Sequence, residues 1–436
     1  MPVLRPFRAL RYHVAPSDLS ALLAPPYDII NPTQRLGLLE RHPHNAVRLE
    51  LPADLDSADA RAYQSAAETV ADWRRSGVLV RDAEPTVTVH RMRWPAADGR
   101  ERSATGLFVR LKLEAFGPGA GVLPHERTMN APKKDRYQLL EATEMNTSPV
   151  VFLAGSDVAV TGRALGALTE GPPDVETETG DGVHHALWIR PAAHAAALLE
   201  VLSSAPLIIA DGHHRYETAL AYRDTRQAAS AAQGRPEDDP AWGYLLALVY
   251  PLEQSPDALP THRVVRGRPC GHDLLERLRP FAFIEHLADR EVLLARMAAP
   301  PSFAVGATGT GSIGILTADK AALLTLDREA TGALLPADLS EASRGLDVNA
   351  LSIIIDRAYG DDAATMAGDG RLWYLKDARE ATQQVVDEMA SAAYLLHGMP
   401  AAAISMVAQA GETMPHKSTY FHPKAPTGLL FNPLEG

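Results

Sequence analysis

The run Leu207-Ile208-Ile209-Ala210, then Asp211-Gly212-His213-His214-Arg215, then Tyr216-Glu217-Thr218-Ala219-Leu220 constrains this chain more than any other stretch. Small and branched apolar residues in succession fit a buried strand, and from Tyr216 onward the pattern predicts a helix. The turn between them carries an acid, a glycine, two histidines and an arginine. A strand that feeds a helix through a glycine turn directs the first helical N–H groups, which lack partners inside the helix, at whatever lies above the turn. The helix dipole adds partial positive charge there, and Arg215 offers a planar fork suited to phosphate oxygens. The stretch reads as an anion cradle, with a nucleotide phosphate the favoured anion. The competing reading is a surface turn in which Asp211 caps the helix.

The rest of the chain bounds the answer. At 436 residues it is too long for one ordinary core, so two or three domains are expected. A hydrophobic share of 46% with 22% charged residues describes a globular chain. The net charge of −12 disfavours a surface that grips nucleic acid, because neutralising phosphates needs an excess of Lys and Arg. Cys270 is the only cysteine, which excludes intrachain disulfides and thiolate zinc clusters and fits a reducing cytoplasm. Met1 to Leu23 lacks the apolar core of a signal peptide, and the apolar run at Tyr244 to Tyr250 is too short to span a bilayer. No membrane partner is expected.

Along the chain, Ala24-Pro25-Pro26-Tyr27-Asp28 should be extended, since residues before proline leave the α region. Helices are predicted at Thr33 to Arg41, Ser57 to Gly77 and Arg136 to Glu144. Strands are predicted at Ala46 to Leu51, Val150 to Leu153, His185 to Ile189 and Tyr244 to Tyr250. The strands Thr86 to His90 and Thr105 to Leu113 should form a hairpin across Ala97-Asp98-Gly99. Gln227 to Asp239 reads as a mobile connection. After Arg266 the texture changes, with short pieces at Leu274 to Leu278, Ser302 to Val305, Gly314 to Leu316 and Ala322 to Leu326. The expected fold class is α/β, mixed α and β. Residues 1–266 form a core, 267–370 a second α/β domain, and 371–436 a segment that folds back toward the core.

Several motifs tempt and fail. Gly309-Thr310-Gly311-Ser312-Ile313-Gly314 matches G-x-G-x-x-G, but a strand follows where the dinucleotide fingerprint requires a helix; a hairpin turn fits better. Gly411 to Ser418 resembles a P-loop, yet His416 replaces the glycine before the lysine and Pro415 removes a cradle N–H. Lys417, Ser418, Thr419, Tyr420, His422 and Lys424 still crowd donors into one loop. That loop is either solvated or faces an anion, and in the second case it should lie beside the Asp211 turn. His125-Glu126-Arg127-Thr128, ahead of Lys133-Lys134-Asp135-Arg136, is either a polar lead-in to a helix or a general base near phosphate binders. Thr261-His262-Arg263 is open in the same way. His213 and His214 make no metal site alone, because adjacent side chains diverge. No G-x-S-x-G elbow supports a serine hydrolase.

Taken together, these stretches resemble domain-of-unknown-function family 1015. The resemblance is carried by Ala24 to Ile30, His125 to Thr128 with Asp135-Arg136, Ala210 to Arg215, Leu259 to Val265, Gly345 to Val348, and Met414 to Lys424. They occur in family order; Pro124 departs from the pattern, which expects an arginine before His-Glu. The resemblance implies a ParB/sulfiredoxin-like nucleotide-binding core, similar to that of free serine kinases. It implies phosphoryl transfer from ADP or ATP, with Mg²⁺, to the hydroxyl of free L-serine. Asp211, Gly212, His213, His214 and Arg215 would hold the phosphates, aided by Lys417 and Ser418, with Asp211 a candidate magnesium contact. Glu126, His214 and Arg215 are the candidate catalytic residues, Glu126 as base with Glu50 and Glu217 as rivals. His125, Thr261, His262 and Arg263 are the candidate acceptor-binding residues, and Lys417 and Arg263 are further candidates to hold the phosphate or the serine carboxylate. The alternatives are a nucleotide-binding regulatory protein of ParB-like fold and a kinase for another hydroxylated small molecule. Oligomeric state stays open.

Overall fold

The structure is a computed structural model that describes residues 1–53, 60–96, 99–126, 130–235, 237–267, 269, 273–299, 302–303, 307–415 and 417–435, with backbone alone for 130–132. The chain divides into two compact units. The first comprises Met1–Pro124, Thr128–Pro256 and Pro423–Gly436; the second comprises His125–Arg127 and Asp257–His422. The second unit therefore starts before Gly267, because the strand His262–Val265 belongs to its sheet. The tail is divided, with 371–422 in the second unit and the last residues in the first.

The first unit is built on a nine-stranded mixed sheet. Its strands are β1 (Leu4–Arg5), β2 (Thr86–Pro95), β3 (Glu101–Lys112), β4 (Val122–Leu123), β5 (Val150–Ala154), β6 (Val175–Glu178), β7 (His184–Pro191), β8 (Leu207–Asp211) and β9 (Tyr244–Pro251). They run in the order β4-β8-β5-β9-β3-β2-β7-β6, with β1 also paired to β3. β9 is parallel to β5 and antiparallel to β3, and it is buried along its whole length. That explains why Tyr244 to Tyr250 reads as an unbroken apolar run: a strand covered on both faces needs no alternation. Leu207, Ile209, Phe152 and Val249 form part of one core with Tyr216 and Ala219 of the helix His213–Ala232.

The second unit holds a six-stranded, wholly antiparallel sheet of β10 (His262–Val265), β11 (Ala282–Leu287), β12 (Ser312–Thr317), β13 (Ala321–Leu326), β14 (Leu372–Leu375) and β15 (Ala392–Leu395). The order is β11-β13-β12-β15-β10-β14. Val264, Leu316, Ala393 and Leu395 pack there with Leu293 and Val385 from flanking helices. Both units mix helices with sheet, as the α/β expectation requires.

Several local expectations change. Ala46 to Leu51 is not a strand; Val47–Glu50 is one helical turn that buries Val47, Leu49 and Glu50. A short apolar run suits either element, and packing decides. Gln227 to Ala232 is not a loose connection but the end of the helix His213–Ala232, whose Ala and Gln residues are good helix formers. Tyr27–Ile29 closes a 3₁₀ turn after the extended prolines. The helix expected from Arg136 begins at Asn130 and runs to Thr143. The hairpin of β2 and β3 forms as expected, while Ala97 and Asp98 lie outside the described residues, as do Arg127, Thr128, Cys270, Val305 and His416. Gly309-Thr310-Gly311 is not a hairpin turn. It leads into β12 and wraps the Asp347 carboxylate, which accepts from the Thr310 N–H at 2.7 Å, the Gly311 N–H at 2.9 Å and the Arg328 guanidinium at 2.5 Å. The loop's donors hold an anion that the chain itself supplies.

Candidate functional site

In the first unit the turn after β8 takes the form the sequence suggests, with one change. Pairing of β8 with β5 slips between Ile209 and Asp211, an irregularity that re-aims the strand end. Gly212 follows with φ +94°, a left-handed conformation that residues with a Cβ rarely adopt. Gly212, not Asp211, is the N-cap of the 20-residue helix, and as a glycine it has no side chain with which to cap that end. A Cβ at Gly212 would also meet the Arg215 Nε and NH2 at 3.0 Å. The turn therefore requires glycine for its backbone angle and for the arginine packed beneath it.

Arg215 is not an outstretched fork. Its NH2 donates to Asp211 Oδ2 at 2.5 Å, and its NH1 donates to Ser148 Oγ at 3.0 Å and to the Pro149 carbonyl at 2.5 Å. Nε is buried without a hydrogen-bond partner among the described residues. Lys424, from the returning tail, donates to Asp211 Oδ1 at 2.7 Å and to Asp28 Oδ2 at 2.5 Å. Burial pushes the Asp211 carboxyl up, but Lys424 and Arg215 outweigh it and hold the group well below the usual carboxylate range. Burial likewise lowers Lys424, and Asp211 with Asp28 more than reverses this. Each group keeps its charge because its partners are in contact.

The network extends inward. Ser148 Oγ donates to Glu50 Oε1 at 2.9 Å while accepting from Arg215, and Thr147 donates to Glu50 Oε2 at 2.6 Å. Arg136 donates to the Glu50 carbonyl at 2.7 Å and covers the Tyr27 ring at 4.1 Å. Beside this network a cavity of about 40 Å³ is lined by Arg136, Asn146, Ser148 and Arg215. Small-molecule sites occupy about 300–1,000 Å³, so this space admits water and not a nucleotide. The network is the floor of the turn.

Both Asp211 oxygens are held by cations, so the arrangement does not present Asp211 to a magnesium ion. Among the described residues no group of three or more His, Cys, Asp or Glu converges as a metal ligand set. Glu217, a rival base, is ion-paired with Lys133.

The second unit gathers the other candidates. Glu126 bridges Met414 in parallel register, and the Met414 N–H donates to the His125 carbonyl at 2.8 Å. Glu126 Oε1 accepts from the Lys417 N–H at 2.9 Å, and His125 Nε2 lies 3.0 Å from Thr419 Oγ1. Lys417 has φ +57°, unusual for a residue with a side chain. Thr261 Oγ1 donates to the Lys417 carbonyl, and Ser418 Oγ donates to the Pro415 carbonyl at 2.5 Å. His262 Nδ1 accepts from the Leu396 N–H at 3.2 Å. Burial, then neighbouring Arg263, pulls the His262 pKa down to about 4, so the ring is neutral at pH 7.

The predicted residues thus fall into two groups, Asp211 to Arg215 in the first unit and His125, Glu126, Thr261, His262, Arg263, Lys417 and Ser418 in the second. Sequence reasoning did not single out Asp28, Ser148 or the pairing of Lys424 with Asp211. The signal available was indirect: Asp28 ends a rigid Pro-Pro-Tyr segment, and Lys424 sits in a donor-rich loop between prolines.

A family model described as "Protein of unknown function (DUF1015)" matches residues 4–349. No curated protein matches the chain. Solved structures similar to it include a conserved hypothetical protein from Pyrococcus furiosus, at 11% identity and TM-score 0.30, covering 69% of this chain and 86% of that one. A free serine kinase in complex with AMP is similar at 11% identity and TM-score 0.31, covering 69% and 83%. SbnI with a C-terminal truncation, from Staphylococcus aureus, is similar at 12% identity and TM-score 0.33, covering 70% and 82%.

Proposed function

The chain belongs to the DUF1015 family, and from that premise we propose that it is a nucleotide-dependent phosphotransferase acting on the hydroxyl of a small molecule. ADP or ATP is the donor and free L-serine the first candidate acceptor, giving O-phosphoserine. The observation that carries this reading is the left-handed Gly212 between β8 and a 20-residue helix, braced from below by the Asp211, Arg215 and Lys424 ion pairs. A helix start that follows a glycine turn directs backbone N–H groups and positive partial charge at an anion. His213 and His214 add side chains in the first turn of that helix.

In this proposal the first-turn amides hold the nucleotide phosphates. Arg215 and Lys424 act by fixing the turn, which is how preorganised donors lower a barrier without reorganising during reaction. The acceptor oxygen forms a bond to phosphorus as the bond to the leaving nucleotide breaks, and Glu126 takes the hydroxyl proton. Glu50 is the rival base, but both of its oxygens accept from Thr147 and Ser148.

The test is to incubate the purified chain with ADP or ATP, Mg²⁺ and a panel of hydroxy amino acids and other small alcohols, with products read by mass spectrometry. A phosphate monoester of one acceptor, formed in step with nucleotide loss, is expected. Nucleotide that binds but is never consumed, with every acceptor, would contradict the phosphotransferase and leave a nucleotide-responsive regulator.

A further inference from the structure

Besides Arg263, the other fully buried arginine among the described residues is Arg136, which has a carboxylate in contact, and so do the part-buried Arg11 and Arg215. Arg11 pairs with Asp82 at 2.9 Å, Arg136 with Asp135 at 2.5 Å and Arg215 with Asp211 at 2.5 Å. Arg263 on β10 is only 4% exposed and has no such partner among the described residues. Its NH1 donates to the Thr261 carbonyl and lies 3.4 Å from Thr261 Oγ1. Its guanidinium covers the Tyr374 ring at 5.1 Å from the centroid. The Nε–NH2 edge, which grips carboxylates with two parallel bonds, donates to no described residue.

Burial pulls the Arg263 pKa down to about 10, against the field of Tyr374 and Glu126, so the group stays charged at pH 7. An uncompensated buried cation is among the most costly groups a fold can hold. Arginine cannot escape by releasing its proton, as lysine does. Packing alone gives no reason to keep it, since an apolar side chain of similar size would fill the site at lower cost.

We propose that Arg263 is the binding site for the carboxylate of a small molecule, with the Nε–NH2 edge as the grip and Tyr374 as the platform beneath. One guanidinium balances a monoanion. The Glu126 carboxylate, near enough to act on Arg263 electrostatically, disfavours a doubly charged phosphate there. The inference rests on the phosphotransfer reading only in naming that carboxylate as the acceptor's own.

The experiment uses the full chain in thermal unfolding and saturation-transfer NMR with four probes: L-serine, glycerate, serinamide, which lacks the carboxylate, and inorganic phosphate. L-serine or glycerate should bind and raise the melting temperature, while serinamide and phosphate should not. Arg263→Met should fold with unchanged or higher basal stability and bind the carboxylates about 10- to 100-fold more weakly. Should Arg263→Met fail to fold, Arg263→Lys keeps the charge, loses the fork and should show the same direction of change. Glycerate bound through Arg263, with L-serine ignored, supports the site and removes serine. Carboxylate binding unchanged in either variant overturns the site, as does stabilisation by phosphate alone or by no probe. Because none of these readouts needs nucleotide, the site can fall while phosphotransfer stands, and the reverse.

Discussion

Lys424 sits between two carboxylates, and its side chain is 7% exposed. Lys424→Met removes a charge shared by Asp28 and Asp211 and breaks the largely buried Lys424–Asp211 pair, leaving Asp211 to Arg215 and the more exposed Asp28 to solvent. Breaking a buried pair in this way costs about 3–5 kcal/mol, and urea unfolding should show it. Adding Asp28→Asn should recover part of the loss, since one unpaired charge disappears with it. A single variant as stable as the parent would mean that solvent already screens the cluster. Glu126 is the other residue whose role is open to direct trial. Glu126→Gln keeps size and hydrogen bonding, so it should leave nucleotide affinity intact and lower kcat, by about 100-fold at the low end of general-base effects because the transition state is loose. Normal turnover in Glu126→Gln together with a dead Glu50→Gln would transfer the base to Glu50. At this scale the sequence was partly legible. It picked out Asp211, Gly212 and Arg215, yet read Arg215 as a ligand fork. Whether an arginine reaches out or folds under depends on acceptors such as Ser148 and the Pro149 carbonyl, 66 and more positions away along the chain.

The junction of β8 with its helix is the element on which the functional reading turns. Gly212→Ala must place a Cβ at φ +94° and 3.0 Å from the Arg215 guanidinium. A loss of about 1–3 kcal/mol is expected from the backbone alone, read by urea unfolding, with a larger loss if Arg215 cannot shift. The Gly309-Thr310-Gly311 loop gives a second element-level prediction. Asp347→Ala strips the loop of its internal anion, and four donor contacts to that carboxylate go unmet. The variant should be about 2–4 kcal/mol less stable, and it should not acquire dinucleotide binding, because no helix follows the loop. Elements covered on both faces, such as β5, β8 and β9, were legible because a buried strand is apolar throughout. Val47–Glu50 was not, since four residues show too little of either period. The wrapping of Asp347 was invisible because it joins residues 36 and 37 positions apart.

Across the whole molecule the boundary between units was the least legible feature. Texture changes at Gly267, but the strand that seeds the second sheet starts at His262, and the chain re-enters the first unit at Pro423. Pairing between strands distant in sequence leaves no local trace. Both units contain neutral, buried histidines, and this sets a pH response. Burial lowers His185 to about 4, with His90 Nε2 3.0 Å from its Nδ1, and His262 is also lowered to about 4. An unfolded histidine takes up its proton near pH 6.5, while these folded rings resist until about pH 4. Their contribution is therefore complete above pH 6.5 and is lost as pH falls from 6.5 toward 4, by about 2–3 kcal/mol for each ring. Asp211, held low by Lys424 and Arg215, keeps its charge through that window and weakens the fold only below it. Urea unfolding at pH 7.5, 5.5 and 4.5 should show the decline, and His262→Gln should flatten it.

The most direct test of the account is calorimetric titration of ADP into the wild-type chain and into Arg215→Ala, with the fold of the variant checked by circular dichroism. Wild type should bind saturably, and the variant should bind more weakly by about 1.5–3 kcal/mol, because the turn loses the guanidinium that fixes it and a charge-assisted bond of that size. The absence of any binding heat in wild type, or an unchanged affinity in a folded Arg215→Ala chain, would contradict the assignment of the Asp211 to Arg215 turn as the phosphate cradle.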